Sequence, residues 1–285
     1  MKPSCLLACC TLIGLGLAAC GGDSMPDPGS RTEEAHNVDL DSLRISVRGQ
    51  AAVLPEAATL LAAQGQTAPA LDGLGLSIEE PLRMSVSDPV ATFGSGSLGG
   101  DGGFSIDEVP VKDIHLSLAA RVDHEGFVPS STIIFDTAFT GTRPRTDLTG
   151  TRVWALPLAL HEALTRAVGE PALQAHTNGQ ARTLQEAGFL LGRVVDGSGR
   201  PVAGARVRVD RGELADRLYY PSEDLTQVGQ TGTSANGLFL YVHSGVEVET
   251  FRLSLHGTEA YLWRNAGATP GRGLVLTVFP GTIPP

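Results

Sequence analysis

Six runs of alternating apolar and polar residues constrain this chain more than any other feature. They are Leu43-Arg-Ile-Ser-Val-Arg, Leu76-Ser-Ile, Ile114-His-Leu-Ser-Leu, Ala205-Arg-Val-Arg-Val, Phe251-Arg-Leu-Ser-Leu and Leu274-Val-Leu-Thr-Val. A period of two puts successive side chains on opposite faces of a strand, so each run reads as a strand with one buried face and one wet face. Clusters of Gly, Pro, Asn and Asp punctuate the runs, in keeping with 35 glycines and 18 prolines among 285 residues. The expectation is a mainly β protein of antiparallel sandwiches.

One stretch departs from this period. Leu156, Leu160, Leu164 and Val168 recur every four residues, which is helical spacing. Pro157 suits the first turn of a helix and Gly169 its stop. A second short helix is predicted over Thr183-Leu-Gln-Glu-Ala, ended by Gly188. Residues 151–188 therefore read as a helical connector packed on a sheet. It separates a degenerate β-sandwich over 38–150 from a second sandwich over 189–285. The flanks echo one another. Gly204-Ala-Arg-Val-Arg-Val echoes Gly73-Leu-Gly-Leu-Ser-Ile, Asn236-Gly237-Leu-Phe239 echoes Asp101-Gly102-Gly-Phe104, and Leu253-Ser-Leu255 echoes Leu116-Ser-Leu118. Two copies of one module account for the order.

The N-terminus carries Lys2, an apolar run from Leu6 to Leu17, and then Ala18-Ala19-Cys20. The run is too short to span a bilayer and has the length of a signal-peptide core. With Leu17 it resembles a bacterial lipoprotein signal and its lipobox. The resemblance implies a signal peptide over 1–19, removed in the mature protein, and lipid attachment at Cys20 through a diacylglycerol thioether and an N-acyl chain such as palmitate. Two or more chains anchor stably where one does not. Gly21 follows the cysteine where Asp would favour the inner membrane, which points to the outer membrane. Residues 20–37 then hold the acylated cysteine and a polar, Pro- and Gly-containing tether. Cys5, Cys9 and Cys10 fall within the signal, so the mature chain would have neither a disulfide nor a free thiol.

Gly192-Arg-Val-Val-Asp196-Gly-Ser-Gly-Arg-Pro201-Val-Ala-Gly204-Ala205, followed by Thr231-Gly-Thr-Ser-Ala-Asn236-Gly237-Leu-Phe239, resembles the carboxypeptidase regulatory-like domain. Ser234 stands where that family often has Asp. The resemblance implies a transthyretin-like β-sandwich over about 189–260, with 43–136 a looser copy. The motif residues have folding roles: turns at Asp196-Gly-Ser-Gly and Asn236-Gly237, a fixed φ at Pro201, and Phe239 in the core.

No residue set rises to a catalytic, cofactor or metal motif. His161-Glu162 opens like a zinc-protease helix, but Thr165 occupies the second histidine position. His161 and Glu162 are expected on the polar face of the connector. His115 and His124 lack a third ligand. Ser95 and Ser97 lie in a Gly-rich loop without a nucleophile elbow or a phosphate-binding lysine. Asp196, Asp210, Glu213 and Asp216 lack the spacing of a calcium loop. In the transthyretin-like superfamily some dioxygenases bind iron through two tyrosines and two nearby histidines, but His243 and His256 are too far apart to match. Tyr219, Tyr220, Tyr261 and Trp263 remain as candidate ligand contacts.

The net charge is −10, and −11 without Lys2. That sign argues against nucleic acid as a partner. The functional expectation is a lipid-anchored envelope protein, a non-enzymatic binding or scaffolding module for an envelope protein, peptide or glycan. The alternatives are an enzyme with an unrecognised site on strand-end loops, or an accessory subunit of an envelope peptidase or transport complex.

Overall fold

The alternating runs form strands, and short Gly- and Pro-rich links join them. The computed structural model describes residues 38–245, 248–282 and 284. The signal, Cys20 and the tether lie outside these residues. Seven strands make a first sandwich: β1 (Arg44–Val53), β2 (Gly75–Glu79), β3 (Thr92–Ser97), β4 (Gly103–Pro110), β5 (Ser117–Asp123), β6 (Ser130–Asp136) and β7 (Leu148–Ala155). One layer has the order β4-β1-β7 and the other β3-β2-β5-β6. Val47, Ala51, Ile106 and Val153 from the first layer meet Leu76, Ile78, Leu118 and Ala120 from the second in a buried core. Short helices α1 (Pro55–Ala63), α2 (Pro81–Ser85) and α3 (Thr137–Thr140) lie in the connections. Each of the first two has Pro in its first turn, where the missing N–H costs nothing.

Helices α4 (Leu158–Val168), α5 (Glu170–His176) and α6 (Leu184–Ala187) come next. Eight strands complete the chain: β8 (Phe189–Val194), β9 (Val207–Val209), β10 (Leu218–Pro221), β11 (Val228–Gly229), β12 (Leu238–Val242), β13 (Glu249–Leu255), β14 (Arg264–Ala268) and β15 (Gly273–Val278). Here the layers are β11-β10-β12-β8-β15 and β14-β13-β9. Phe239, Tyr241 and Leu276 pack on Phe251, Leu253 and Ala266 between them. The helices cover the opposite face of the larger layer, where Leu160, Leu164 and Leu184 meet Leu191, Leu240 and Val275.

The two sandwiches share one pairing scheme over six strands each, while the remaining strands differ: β3 pairs with β2, but β10 pairs with β12. In the first, β1 pairs antiparallel with β4 and parallel with β7, while β5 bridges β2 and β6. In the second, β8 pairs antiparallel with β12 and parallel with β15, while β13 bridges β9 and β14. The Gly-Phe echoes mark equivalent points. The Ala51 N–H donates to the Gly102 carbonyl and the Val194 N–H to the Gly237 carbonyl, both at 2.8 Å. Both glycines have positive φ, +79° and +70°, and a Cβ on either would lie 2.2 Å or 2.5 Å from the strand carbonyl it faces. The third echo does not mark equivalent positions. Leu253-Ser-Leu255 ends β13 opposite β9, whereas Leu118 lies near the start of β5, beyond its ladder with β2.

The sandwiches are not separated by the helices. Ser130–Thr132 of β6 pair in parallel with Gly273–Val275 of β15. This seam joins the β3-β2-β5-β6 layer to the β11-β10-β12-β8-β15 layer as one nine-stranded sheet. Residues 38–285 accordingly form one compact unit. The first sandwich also extends past residue 150, because β7 continues to Ala155.

The helical stretch follows its local signals. Pro157 and Gly169 flank α4. Thr183 and Glu186 form a reciprocal capping box on α6, and Gly188 follows it. Helix α5 was not expected from the spacing; it restarts directly after Gly169 with Pro171 in its first turn. His161 is also not on the polar face. It is half-buried, its Nε2 accepts the Gln185 N–H at 3.0 Å, and its ring lies against Phe189. The second helix, folded back on the first, turns that side of α4 inward.

Candidate functional site

The four aromatic candidates divide sharply. Tyr219 and Tyr220 are 9% and 6% exposed, because β10 lies within the large sheet and is covered on both faces. The Tyr219 hydroxyl is hydrogen-bonded to His176 Nε2 at 2.6 Å, and the Tyr220 hydroxyl accepts the Val207 N–H at 2.9 Å. Burial pushes both hydroxyls above the usual tyrosine range. Tyr261 is half-buried and donates to the Val195 carbonyl at 3.0 Å, tying the β13–β14 connection to the end of β8. These three side chains fasten the fold.

Trp263 is different. It lines an open groove of about 810 Å³ together with His115, Thr142, Arg143, Arg252 and Leu262. The Arg208 and Arg252 guanidinium groups lie 4.8 Å and 5.8 Å from its ring centroid, within cation–π range. Leu262 beside it is 40% exposed. Arg143 is paired with Asp41 at 3.0 Å and Arg252 with Asp210 at 3.1 Å, so the groove carries screened guanidinium groups around an indole and not a bare positive patch.

Behind the groove lies a buried ion pair that also holds one of its lining residues, Asn265. Arg264, 4% exposed, donates through Nε to Asp136 Oδ2 at 3.0 Å and through Nη1 to the Thr277 carbonyl at 2.9 Å. Its guanidinium carbon lies 4.2 Å from the Phe139 ring centroid and 4.9 Å from that of Phe279. Burial pulls its pKa down and Asp136 opposes that shift. Asn265, which faces the groove, donates through its backbone and its side chain to the same carboxylate. Asp136 and Arg264 are ordinary in sequence, and only the meeting of α3 with β14 reveals their role.

Three of the acidic candidates are engaged by nearby side chains. Asp196 accepts from Ser198 and Arg200 within its own turn, and those hydrogen bonds hold its carboxyl well below the usual range. Asp210 and Glu213 pair with Arg252 and Arg211. His115 lies in the groove, whereas His124 packs against Phe127 and accepts the Gly126 N–H. No group of three or more His, Cys, Asp or Glu among the described residues is arranged to hold a metal ion. None of the described helices is long and apolar enough to cross a membrane.

No family model matches the chain, and no curated protein sequence does either. Similar solved structures include the shaft pilin SpaA from Lactobacillus rhamnosus GG, at 8% identity over 85% of this chain and 100% of that one, with a TM-score of 0.24. The minor pilin GBS52 from Streptococcus agalactiae is 10% identical over 85% of this chain and 97% of that one, with a TM-score of 0.23. The TIE protein of Bacillus anthracis is 8% identical over 85% of this chain, which spans 34% of that protein, again with a TM-score of 0.23. At TM-scores this low the likeness carries no assignment.

Proposed function

We propose that this is a lipid-anchored envelope protein, held outside the cytoplasm through Cys20, whose fused sandwiches act as a non-enzymatic binding module. The groove beside Trp263 is its ligand contact, and an envelope glycan is the ligand class. The single observation that carries this reading is the indole at the wall of an open groove, flanked by two guanidinium groups, with the neighbouring groove residue Asn265 held by Asp136. An indole offers an apolar face to a sugar ring, while arginine and threonine offer polar partners to its hydroxyl and carboxylate groups. The anchoring half rests on the lipobox resemblance at Leu17-Ala-Ala-Cys20.

The test uses the full-length chain and has two arms. Cys20→Ala should move the protein from the membrane fraction to the soluble fraction, since the acyl chains supply the anchor. Retention of that variant on membranes refutes the anchor. Trp263→Ala should weaken co-sedimentation with isolated cell-wall sacculi by about tenfold or more, the size of effect expected of an aromatic hot spot. Ligand-induced change in tryptophan fluorescence should vanish with it, because the other tryptophan, Trp154, is only 6% exposed. Unchanged co-sedimentation refutes the groove.

A further inference from the structure

A second concave feature lies on the far side of β14; it meets the Trp263 groove only at Leu116 and Asn265 and is otherwise lined by different residues. It is a slot between the outer edge of β14 and the face of β2, β5 and β6 that the first sandwich leaves outward, with α2 as its other wall. Glu80 holds that wall in place, accepting the Arg83 N–H at 2.9 Å and the Leu116 N–H at 3.2 Å.

Three observations bear on what fits there. First, β14 is the end strand of its sheet, and its outer edge borders the slot from Asn265 to Thr269. Neighbouring residues of a strand alternate the edge to which their N–H and C=O point. The Asn265 N–H points away from β13, since it donates to Asp136 at 2.9 Å. Gly267, two residues on, therefore directs its N–H and C=O along the same edge into the slot. Second, the equivalent strand of the first sandwich, β6, has its outer edge paired, in parallel, by three residues of β15. The fold already uses this edge once to receive an extended strand.

Third, the slot floor holds unmet polar groups. Glu79 is 1% exposed, and Ser131 Oγ donates to its Oε1. Its Oε2 has no hydrogen bond, and neither does Arg272 Nη1, which lies 3.8 Å from the carboxylate; Arg121, behind the slot, lies 3.6 Å from Glu79 and pairs with Asp123 at 3.1 Å. Buried polar atoms are nearly always hydrogen-bonded, so Glu79 Oε2 and Arg272 Nη1 are poised for a group that both donates and accepts. A hydroxyl does both. The rest of the slot is aliphatic, with Leu82, Met84, Ile133 and Leu274 around a cavity of about 60 Å³. That is well under the ~150 Å³ that accommodates benzene, so the space suits a small aliphatic side chain and excludes a ring.

We propose that this slot is a docking site for an extended peptide segment of a partner protein, added beside β14 as a further strand. Its main chain pairs with Gly267, one inward Val-sized side chain fills the cavity, and an inward Ser or Thr hydroxyl bridges Glu79 and Arg272. Main-chain hydrogen bonds supply the affinity and the two inward side chains the selectivity.

The experiment is an anisotropy titration of the full-length protein with a fluorescein-labelled Thr-Val-Thr-Ser-Thr amide, in which Val and Ser share one face. Saturable binding below about 100 µM is expected. N-methylating one alternate set of amides should weaken it roughly tenfold, and methylating the other set should leave it unchanged, because alternate amides face opposite edges. Replacing the peptide Val by Trp should weaken it to a similar degree. Met84→Trp, on the half-buried wall helix, should abolish binding while the melting temperature stays at the wild-type value. No binding up to about 1 mM overturns the proposal. So does equal sensitivity to the two methylated sets, or a slot that takes octanoic acid and refuses the peptide. The Trp263→Ala variant should bind the peptide normally, which keeps this outcome distinct from that of the groove.

Discussion

Gly192 and Phe239 show how tightly single residues are matched in the second sandwich. They face each other across β8 and β12, and Phe239 is completely buried. A Cβ on Gly192 would lie 1.9 Å from the Phe239 ring, so the ring occupies the space that any other residue would need. Phe239→Ala should destabilise the protein by about 3–5 kcal/mol, the cost of an emptied aromatic site. Gly192→Ala should cost about 1–3 kcal/mol through overpacking. Gly192→Ala combined with Phe239→Leu should cost clearly less than the sum of its parts, because the methyl group enters space the smaller side chain vacates. Denaturant midpoints measure all of these, and strict additivity would mean the two residues do not share that space. Phe239 was readable in sequence as a core residue because it follows a turn signal. The partner role of Gly192 was not, since nothing local reveals the strand opposite.

Among the elements, α4 and α6 were the most readable, because helix ends are marked by adjacent residues. Pro157, Gly169, Thr183 and Gly188 each act within one turn of their own position. What those signals omit is the side that each helix presents to the other. His161 shows the consequence, since it must be neutral at Nε2 to accept the Gln185 N–H. Burial lowers its pKa below the ordinary histidine value, with Glu162 and Glu186 opposing the shift. On acidification the unfolded chain therefore takes up its proton first. Stability should be flat above about pH 6.5 and fall as the pH drops from there toward the lower folded-state value. Part of this fall should disappear in His161→Gln. His176, lowered in the same direction by burial, accounts for part of the remainder. Thermal melts of both proteins across mildly acidic pH measure it, and identical slopes would exclude His161 as a source. Tyr219 and Tyr220 teach a related lesson. The tyrosine pair reads in sequence either as packing for its loop or as an exposed contact, and β10 joins the large sheet and buries both.

The whole molecule depends on a seam of three residue pairs. Ser130–Thr132 and Gly273–Val275 turn two sandwiches into one nine-stranded sheet, with α4 to α6 packed on one of its faces. Because β15 is shared between its own sandwich and β6, unfolding either half exposes a sheet edge of the other. Residues 38–285 should accordingly unfold in a single cooperative transition, with calorimetric and van't Hoff enthalpies in agreement. Two resolved transitions would show that the seam does not couple the halves.

Periodicity alone accounts for the mainly β character, the helical interruption, the duplicated order of strands and the Gly-Phe turn points. Each arises within a few residues along the chain, where alternation, caps and positive-φ glycines act. The pairing of β6 with β15 joins positions some 140 residues apart, and the same alternation would serve any partner of suitable width. The Trp263 groove and the slot at β14 both arise where segments distant in the chain are brought together. Their locations were therefore decided by which sheet edges met, a choice made by packing across the molecule and written in no local run of residues.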